Sequence, residues 1–341
     1  MSKAAHPLRL ATAALQGRLP PGGAWPGVLE IANRGWLCPA LYVGLREADR
    51  LKDIPLPVRE YLGFIHSRNC DRNRRLRTQL LEAVRALNAA GIEPILLKGA
   101  IDLFTAAADD IGTRMLSDLD IGIATNEMPR ATAALGALGY RRTGNGREMA
   151  RPDDAGVIEF HDRPSARSAA YLSADLRACS PIEERDGATA RIPTATARAL
   201  HLIVHDMIKE GDYWTFRIDL RHLHDLAGLA RSREGIDWQH LRAVLADRRA
   251  RAALVVQARA LEDLFGVVIP HDLRPGRQEE CRHMARLVCA SGGPAASVLR
   301  LTGNLSRGVR QISDGYSWRG GRKLTRQVYK RLASRGTGSR V

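Results

Sequence analysis

The clearest candidate for a functional site in this sequence is a pair of aspartates separated by one residue, Asp118 and Asp120. Polar and apolar residues alternate across residues 118–123, which predicts a half-buried strand. Residues i and i+2 of a strand project from the same face, so the two carboxylates would lie side by side. A divalent cation relieves their repulsion, and hard oxygen ligands suit Mg²⁺ or Mn²⁺. An isolated Asp-x-Asp is, however, more often a solvated strand edge.

The chain before these aspartates supplies a candidate phosphate-binding turn. Residues 92–97 are short and apolar, which predicts a strand, and Lys98 and Gly99 then form a turn that leads into a helix. A helix start provides free N–H groups that bind phosphate, and Lys98 is one of only six lysines. A plain turn at the end of a strand is the alternative interpretation.

A third carboxylate, Glu159, lies in a later predicted strand at residues 157–161. Three carboxylates on adjacent strands can hold two metal ions, one activating an attacking hydroxyl and the other stabilising a leaving pyrophosphate. His161 follows two residues later. It either contacts a nucleobase or acceptor, or is an ordinary half-buried strand histidine.

Further polar residues fall in helical patterns. His201 and His205 are four residues apart on one predicted helix face, which permits metal binding but is more typical of ordinary helix histidines. Residues 217–225 contain a polar cluster that either contacts an acceptor or is the polar face of an amphipathic helix. The cluster consists of Asp219, His222, His224 and Asp225.

Hydrophobic periodicity divides the chain into four regions. Residues 1–90 and 191–300 repeat apolar side chains every three or four positions, which predicts an N-terminal helical segment and a C-terminal helical domain. Residues 91–190 alternate strands and helices, which predicts a core with a small mixed sheet. Residues 301–341 are rich in Gly and Arg and predict a basic, partly disordered tail. We therefore expect an α/β fold of the α+β type.

Charge and composition restrict the class of protein. The 341 residues include 52 basic and 37 acidic side chains, for a formal net charge of +15. Forty-six of the basic residues are arginines, as codon bias in a GC-rich genome produces, and residues 300–341 carry +10 of the excess. Aromatic residues make up 5%, which argues against a protein that binds single-stranded nucleic acid mainly by stacking bases on aromatic side chains. The tail, rather than the whole chain, is thus the candidate for an anionic partner.

The cysteines and apolar runs indicate a compartment. The five cysteines are an odd number without a CxxC pair, so we expect free thiols in a reducing cytoplasm. The sequence has no run of 18 apolar residues and no secretory signal pattern. We therefore expect a cytoplasmic protein that binds no membrane.

From about residue 69 to residue 270 the chain resembles the uncharacterised nucleotidyltransferase-like family of the DNA polymerase β-type nucleotidyltransferase superfamily. The motifs that carry the resemblance are Leu96-Leu97-Lys98-Gly99-Ala100, Gly112-Thr113-Arg114, Ser117-Asp118-Leu119-Asp120-Ile121 and Ile158-Glu159-Phe160-His161. Two features differ from the family pattern. The stretch between the glycine turn and the aspartates is longer than in the tightest superfamily members, and Asp162-Arg163 stands where an aromatic is common.

The resemblance implies a nucleotidyltransferase core and a Mg²⁺-dependent (or Mn²⁺-dependent) enzyme. Such an enzyme would transfer an NMP from an NTP to an acceptor hydroxyl on a small molecule, a peptide or protein, or an RNA. We expect AMP as the transferred group and ATP as its source. The resemblance implies that the catalytic and metal-binding residues are Asp118, Asp120 and Glu159. It implies that the NTP-binding residues are Lys98, Gly99, Arg114 and Ser117.

Two alternatives remain from the sequence. The core could be catalytically inactive, in a binding module whose basic C-terminal arm binds nucleic acid or an acidic partner. The chain could also be a nucleotidyltransferase of the toxin–antitoxin type.

Overall fold

A computed structural model describes residues 6–107, 111–144, 146–165, 167–172 and 176–314. Helices form the first part of the chain and most of the part after residue 194, with the strands between them. The helices are α1 (Pro7–Leu15), α2 (Trp25–Arg34), α3 (Cys38–Glu47), α4 (Leu56–Ala89), α5 (Gly99–Thr105), α6 (Met128–Ala137), α7 (Ala195–Ile203), α8 (Asp212–Thr215), α9 (Leu220–Arg231), α10 (Trp238–Val244), α11 (Arg248–Phe265), α12 (Arg277–Ser291) and α13 (Pro294–Asp314). The strands are β1 (Ile95–Leu96), β2 (Asp118–Gly122), β3 (Arg141–Thr143), β4 (Glu148–Ala150), β5 (Val157–His161), β6 (Ile182–Arg185) and β7 (Ala188–Arg191).

The strands form one mixed sheet in the order β3-β4-β5-β2-β1-β7-β6. Strand β2 is parallel to β5 and antiparallel to β1, while β1 is parallel to β7. This mixed sheet within a largely helical chain confirms the expected fold class. The first strand is shorter than the predicted 92–97, because Pro94 has no N–H for the ladder and the chain turns at Lys98.

Helix α4 is the longest described element and follows the predicted helical period. Pro57 lies in its first turn, where a missing N–H costs nothing. After Ala89 the chain leaves the helix through Gly91, whose φ of +71° suits glycine. The N–H of Ile92 then donates to the Leu87 carbonyl at 2.9 Å, which caps the last turn.

The buried apolar residues fall into two cores. One joins α1–α3 and the start of α4 to the helices after residue 194, and contains Leu41, Leu62 and Leu254. The other lies between the sheet and the second half of α4, and contains Leu80 and Ile121. Helices from both ends of the chain therefore share one core, and α4 connects that core to the sheet. The domain boundaries at residues 90, 190 and 300 stay a prediction.

The end of the described chain is helical. Helix α13 crosses residue 300, so residues 301–314 of the predicted tail belong to a helix. Residues 315–341, on which the predicted disorder and the anionic partner chiefly depend, lie outside the described residues. All five cysteines are free thiols, as expected. Within the described ranges no helix is both long and apolar enough to span a bilayer.

Candidate active site

The parallel pair of β2 and β5 arranges the predicted acids. Asp120 lies opposite Glu159 in the register, and Gly122 lies opposite His161. Because alternate residues of a strand share a face, Asp118, Asp120, Glu159 and His161 all project from one side. The apolar residues between them are buried on the other side, in the core against α4. The sheet therefore has a polar face made from the residues that the sequence singled out.

Asp120 is the centre of this polar face. Its side chain is only 2% exposed, and its Oδ1 accepts a hydrogen bond from Lys98 Nζ at 2.6 Å. His161 Nε2 lies 2.7 Å from the same oxygen and 3.7 Å from Glu159 Oε2. One ligand atom from each of Asp120, Glu159 and His161 lies within 4.8 Å of the others. These three side chains could together hold a cation.

The Asp120 carboxyl is kept ionised by its neighbours. Burial raises its pKa, but the hydrogen bond from His161 and the charge of Lys98 outweigh burial, and the net pKa lies below its ordinary value. This buried carboxylate, bonded to an ammonium and an imidazole, is also a group that could bind a metal ion.

Asp118 and Ser117 lie at the rim of the site. Asp118 is half-buried, and its Oδ1 accepts a hydrogen bond from Ser117 Oγ at 2.9 Å. The compact group around Asp120 includes His161 and does not include Asp118. The structure thus brings Asp120 and Glu159 close together. It leaves Asp118 on the same face of β2, two residues before Asp120.

The turn at Lys98 and Gly99 is built by close packing. Lys98 has φ +48° and ψ −127°, a backbone conformation that favours glycine and costs roughly 1–3 kcal/mol for other residue types. A Cβ at Gly99 would lie 1.7 Å from Leu116 Cδ2, so a larger residue there would require the Leu116 side chain to move. The turn carries the Lys98 ammonium to Asp120.

Arg114 connects this turn to the helices. Its Nη1 lies 2.5 Å from Asp225 Oδ2 on α9 and 3.3 Å from Asp102 Oδ2 on α5, and Arg198 of α7 also pairs with Asp102 at 3.0 Å. Its Nε is buried beside Gly99 and finds no hydrogen-bond partner among the described residues. Two carboxylates therefore hold the guanidinium, and one of its donors remains available next to the turn.

Polar side chains of α4 support the site, and the sequence analysis did not identify them. Asn69 Nδ2 donates to the Gly112 and Arg114 carbonyls at 2.7 and 3.0 Å. Asn73 Nδ2 donates to the Ile111 and Arg114 carbonyls at 2.7 and 2.8 Å. Both asparagines are buried and together fix the loop that leads into β2. The signal in the sequence is two asparagines, four residues apart, on a helix face that is otherwise apolar.

His201 on α7 also lies near the turn. A small cavity is lined by Lys98, Arg114 and His201. Burial, together with the positive charge of Lys98, lowers the pKa of His201 to about 4. The imidazole is therefore neutral at pH 7 and can accept or donate a hydrogen bond in this cavity.

A model of the family described as uncharacterised nucleotidyltransferase matches residues 21–266. The chain belongs to this family. The nucleotidyltransferase match confirms the resemblance and extends it from residue 69 into the N-terminal helices. The solution structure of the antibiotic-resistance factor ANT(2'')-Ia aligns with a TM-score of 0.37 and 17% identity, over 53% of this chain and 95% of that chain. No curated protein matches the chain.

Proposed function

We propose that this nucleotidyltransferase transfers an NMP, with AMP preferred, from an NTP to an acceptor hydroxyl. The observation that carries the proposal is the pair of Asp120 and Glu159 on adjacent parallel strands, with Lys98 Nζ 2.6 Å from Asp120. Acids in this arrangement, next to a glycine turn and in a chain of this family, suit phosphoryl chemistry better than a structural role.

The donor set fits Mg²⁺ or Mn²⁺. Asp118, Asp120 and Glu159 offer carboxylate oxygens on one face, and these are the ligands that hard divalent cations prefer. The Asp120 oxygen is bonded to the Lys98 ammonium and to the His161 imidazole, and a metal ion would share or replace these contacts. When bound, the metal would supply charge stabilisation at the transferred phosphate and the leaving pyrophosphate.

The protein's own groups position the reactants. Lys98 precedes Gly99 in the turn and the Nε–H of Arg114 lies beside Gly99, and both would bind the triphosphate, with Ser117 at the rim. Arg114 must loosen its contact with Asp225 if its Nη1 is also to bind phosphate. Such fixed donors stabilise developing charge without reorganisation during the reaction.

Glu159 is proposed as the group that activates the acceptor. Its carboxylate is about 30% exposed, so it can receive the proton of a hydroxyl that approaches from solvent. The acceptor oxygen forms a bond to the α-phosphorus, and the bond from that phosphorus to the bridging oxygen of pyrophosphate breaks. The acceptor itself, a small molecule, a peptide or protein, or an RNA, is left open by this geometry.

The test incubates the protein with α-labelled NTPs in a lysate of its own organism and measures transfer of the label. We expect labelled product with ATP above the other three NTPs, and a loss of about a hundredfold or more in Asp118→Ala and Asp120→Asn. Glu183→Ala, an exposed acid on the edge strand β6, is the matched control and should keep full activity. Full transfer by the Asp120 variant would contradict the proposal.

A further inference from the structure

A second group of ligand-type side chains lies in the helical domain, outside the site just described. His205 Nδ1 lies 2.9 Å from Asp206 Oδ1, and His222 Nδ1 lies 2.8 Å from the same oxygen. The two imidazole rings meet edge to face, with centroids 5.6 Å apart. One ligand atom from each of the three residues lies within 4.8 Å of the others.

The local backbone explains why these residues converge. His205 and Asp206 belong to a π-helical segment, Val204–Glu210, that continues α7 and ends at Gly211 with φ +78°. Such wide turns are rare and occur frequently at functional sites. His222 lies in the first turn of α9, where its N–H donates to the N-cap Asp219 at 3.2 Å. Two separate helical elements thus direct two imidazoles at one carboxylate.

The carboxylate has bonding capacity left over. Asp206 is 3% exposed, and its Oδ2 finds no hydrogen-bond partner in the part of the chain that the structure describes. A buried carboxylate oxygen without a partner is costly, because it has lost its water without replacement. This oxygen therefore retains lone pairs that a bound cation could use.

We propose that His205, Asp206 and His222 form a Zn²⁺ site with an open coordination position. Two imidazole nitrogens and one carboxylate oxygen are a ligand set that zinc accepts, and hard Mg²⁺ does not favour nitrogen. With tetrahedral bonds of about 2.0–2.2 Å, neighbouring ligand atoms of a zinc site lie about 3.3–3.6 Å apart. The observed separations of 2.8 and 2.9 Å need only a small opening of the cluster.

A metal ion at this site would link two helical elements of the C-terminal part of the chain. Zinc would join the π-helical segment to α9, and the same segment continues the helix that carries His201 to the cavity beside Lys98. His205 is 22% exposed, which leaves a path for the ion and for a fourth ligand. The site shares no ligand with the Asp120 cluster, so it does not depend on the proposed transfer reaction.

The test measures zinc binding by the full chain. After treatment with EDTA, the protein is titrated with Zn²⁺ at pH 8, above the ordinary pKa of imidazole. The titration uses calorimetry and competition with a chromogenic chelator. The Asp120→Asn/Glu159→Gln variant serves as the parent, so that the active-site acids contribute nothing. We expect one equivalent of Zn²⁺, and a loss of affinity of at least about tenfold in His205→Gln, Asp206→Asn and His222→Gln.

Two further comparisons keep the proposal falsifiable. His240→Gln, an exposed histidine of the same helical domain, should bind zinc like the parent. Circular dichroism in EDTA establishes that each variant is folded, and His205→Gln, the most exposed of the three positions, tests the site if the buried variants unfold. Zinc binding that persists in all three variants would assign the ion to exposed thiols such as Cys281 and overturn the site. No binding by the parent, or binding of Mn²⁺ alone, would overturn it as well.

Discussion

Lys98 shows how a single residue can link backbone strain to charge. Its φ of +48° places a side-chain-bearing residue in a region that glycine prefers, and the same turn carries its ammonium to Asp120. Replacement by glycine would relieve the backbone, yet would remove one of the two neighbours, His161 and Lys98, that lower the pKa of Asp120. Strain of this kind is typical of functional positions.

A comparison of Lys98→Gly with Lys98→Ala separates the two effects. Both variants remove the ammonium, but only glycine adopts the positive φ without steric cost. We therefore expect Lys98→Gly to be more stable than Lys98→Ala by about 1 kcal/mol in the free energy of unfolding, measured in urea. Equal stability of the two would mean that the turn relaxes when the lysine is lost. Both should transfer label far more slowly than the unmodified chain.

Helix α4 has a structural role in both cores and in the site. Its first half packs with the N-terminal and C-terminal helices, and its second half packs under the sheet. Between these halves, Asn69, Arg72 and Asn73 bond to the backbone around the strand that carries the aspartates. Arg72 donates to the carbonyls of Leu116 and Ala155, at the start of β2 and β5.

Asn73→Ala tests this support at the scale of the element. The substitution removes the Asn73 donor from the Ile111 and Arg114 carbonyls, and only the Arg114 carbonyl keeps a second side-chain donor, Asn69. We expect a loss of about 1–3 kcal/mol in the free energy of unfolding, measured in urea. Arg74→Ala, on the exposed side of the same helix, should change it by less than about 0.5 kcal/mol. A loss no larger in Asn73→Ala than in Arg74→Ala would show that the loop is held by other contacts.

At the scale of the whole molecule, the first helix is fixed to helices near the other end of the chain. Arg9 of α1 lies 2.5 Å from Asp263 Oδ1 on α11, and His283 of α12 lies 2.9 Å from the other oxygen of that carboxylate. Burial alone would raise the pKa of Asp263, but the hydrogen bonds from His283 and Arg9 lower it from 3.8 to about 2.

The sign of the resulting pH dependence follows from linkage. A carboxyl with a lower pKa in the folded chain contributes stability above pH 3.8, and this contribution is lost as the pH falls towards about 2. We therefore expect Asp263→Asn to be less stable than the unmodified chain at pH 5 and to approach it at pH 3. The measurement is urea unfolding at both values. Asp272→Asn, which removes an exposed partner of Arg242, should show a smaller difference, and a gap that does not narrow would contradict the assignment.

Helix α13 gives a prediction about the basic tail. It packs against α8, where a Cβ on Gly303 would lie 2.6 Å from the Trp214 carbonyl. Truncation after residue 314 keeps this contact, so we expect unchanged label transfer and loss of binding to anionic partners, measured by filter binding of RNA at low salt. RNA binding that survives the truncation would locate the anionic surface within residues 1–314.

The fold class, the strand that carries Asp118 and Asp120, and the glycine turn beside Lys98 could all be predicted from the sequence. These are local patterns, because alternation, helical period and turn residues act over a few positions along the chain. The contacts between side chains of different segments required the folded structure. His161 lies at Asp120 because β2 and β5 are parallel in one register, and Asn73 reaches the loop because α4 crosses it. Such contacts depend on packing between distant segments, so they cannot be predicted from the spacing of residues along the chain.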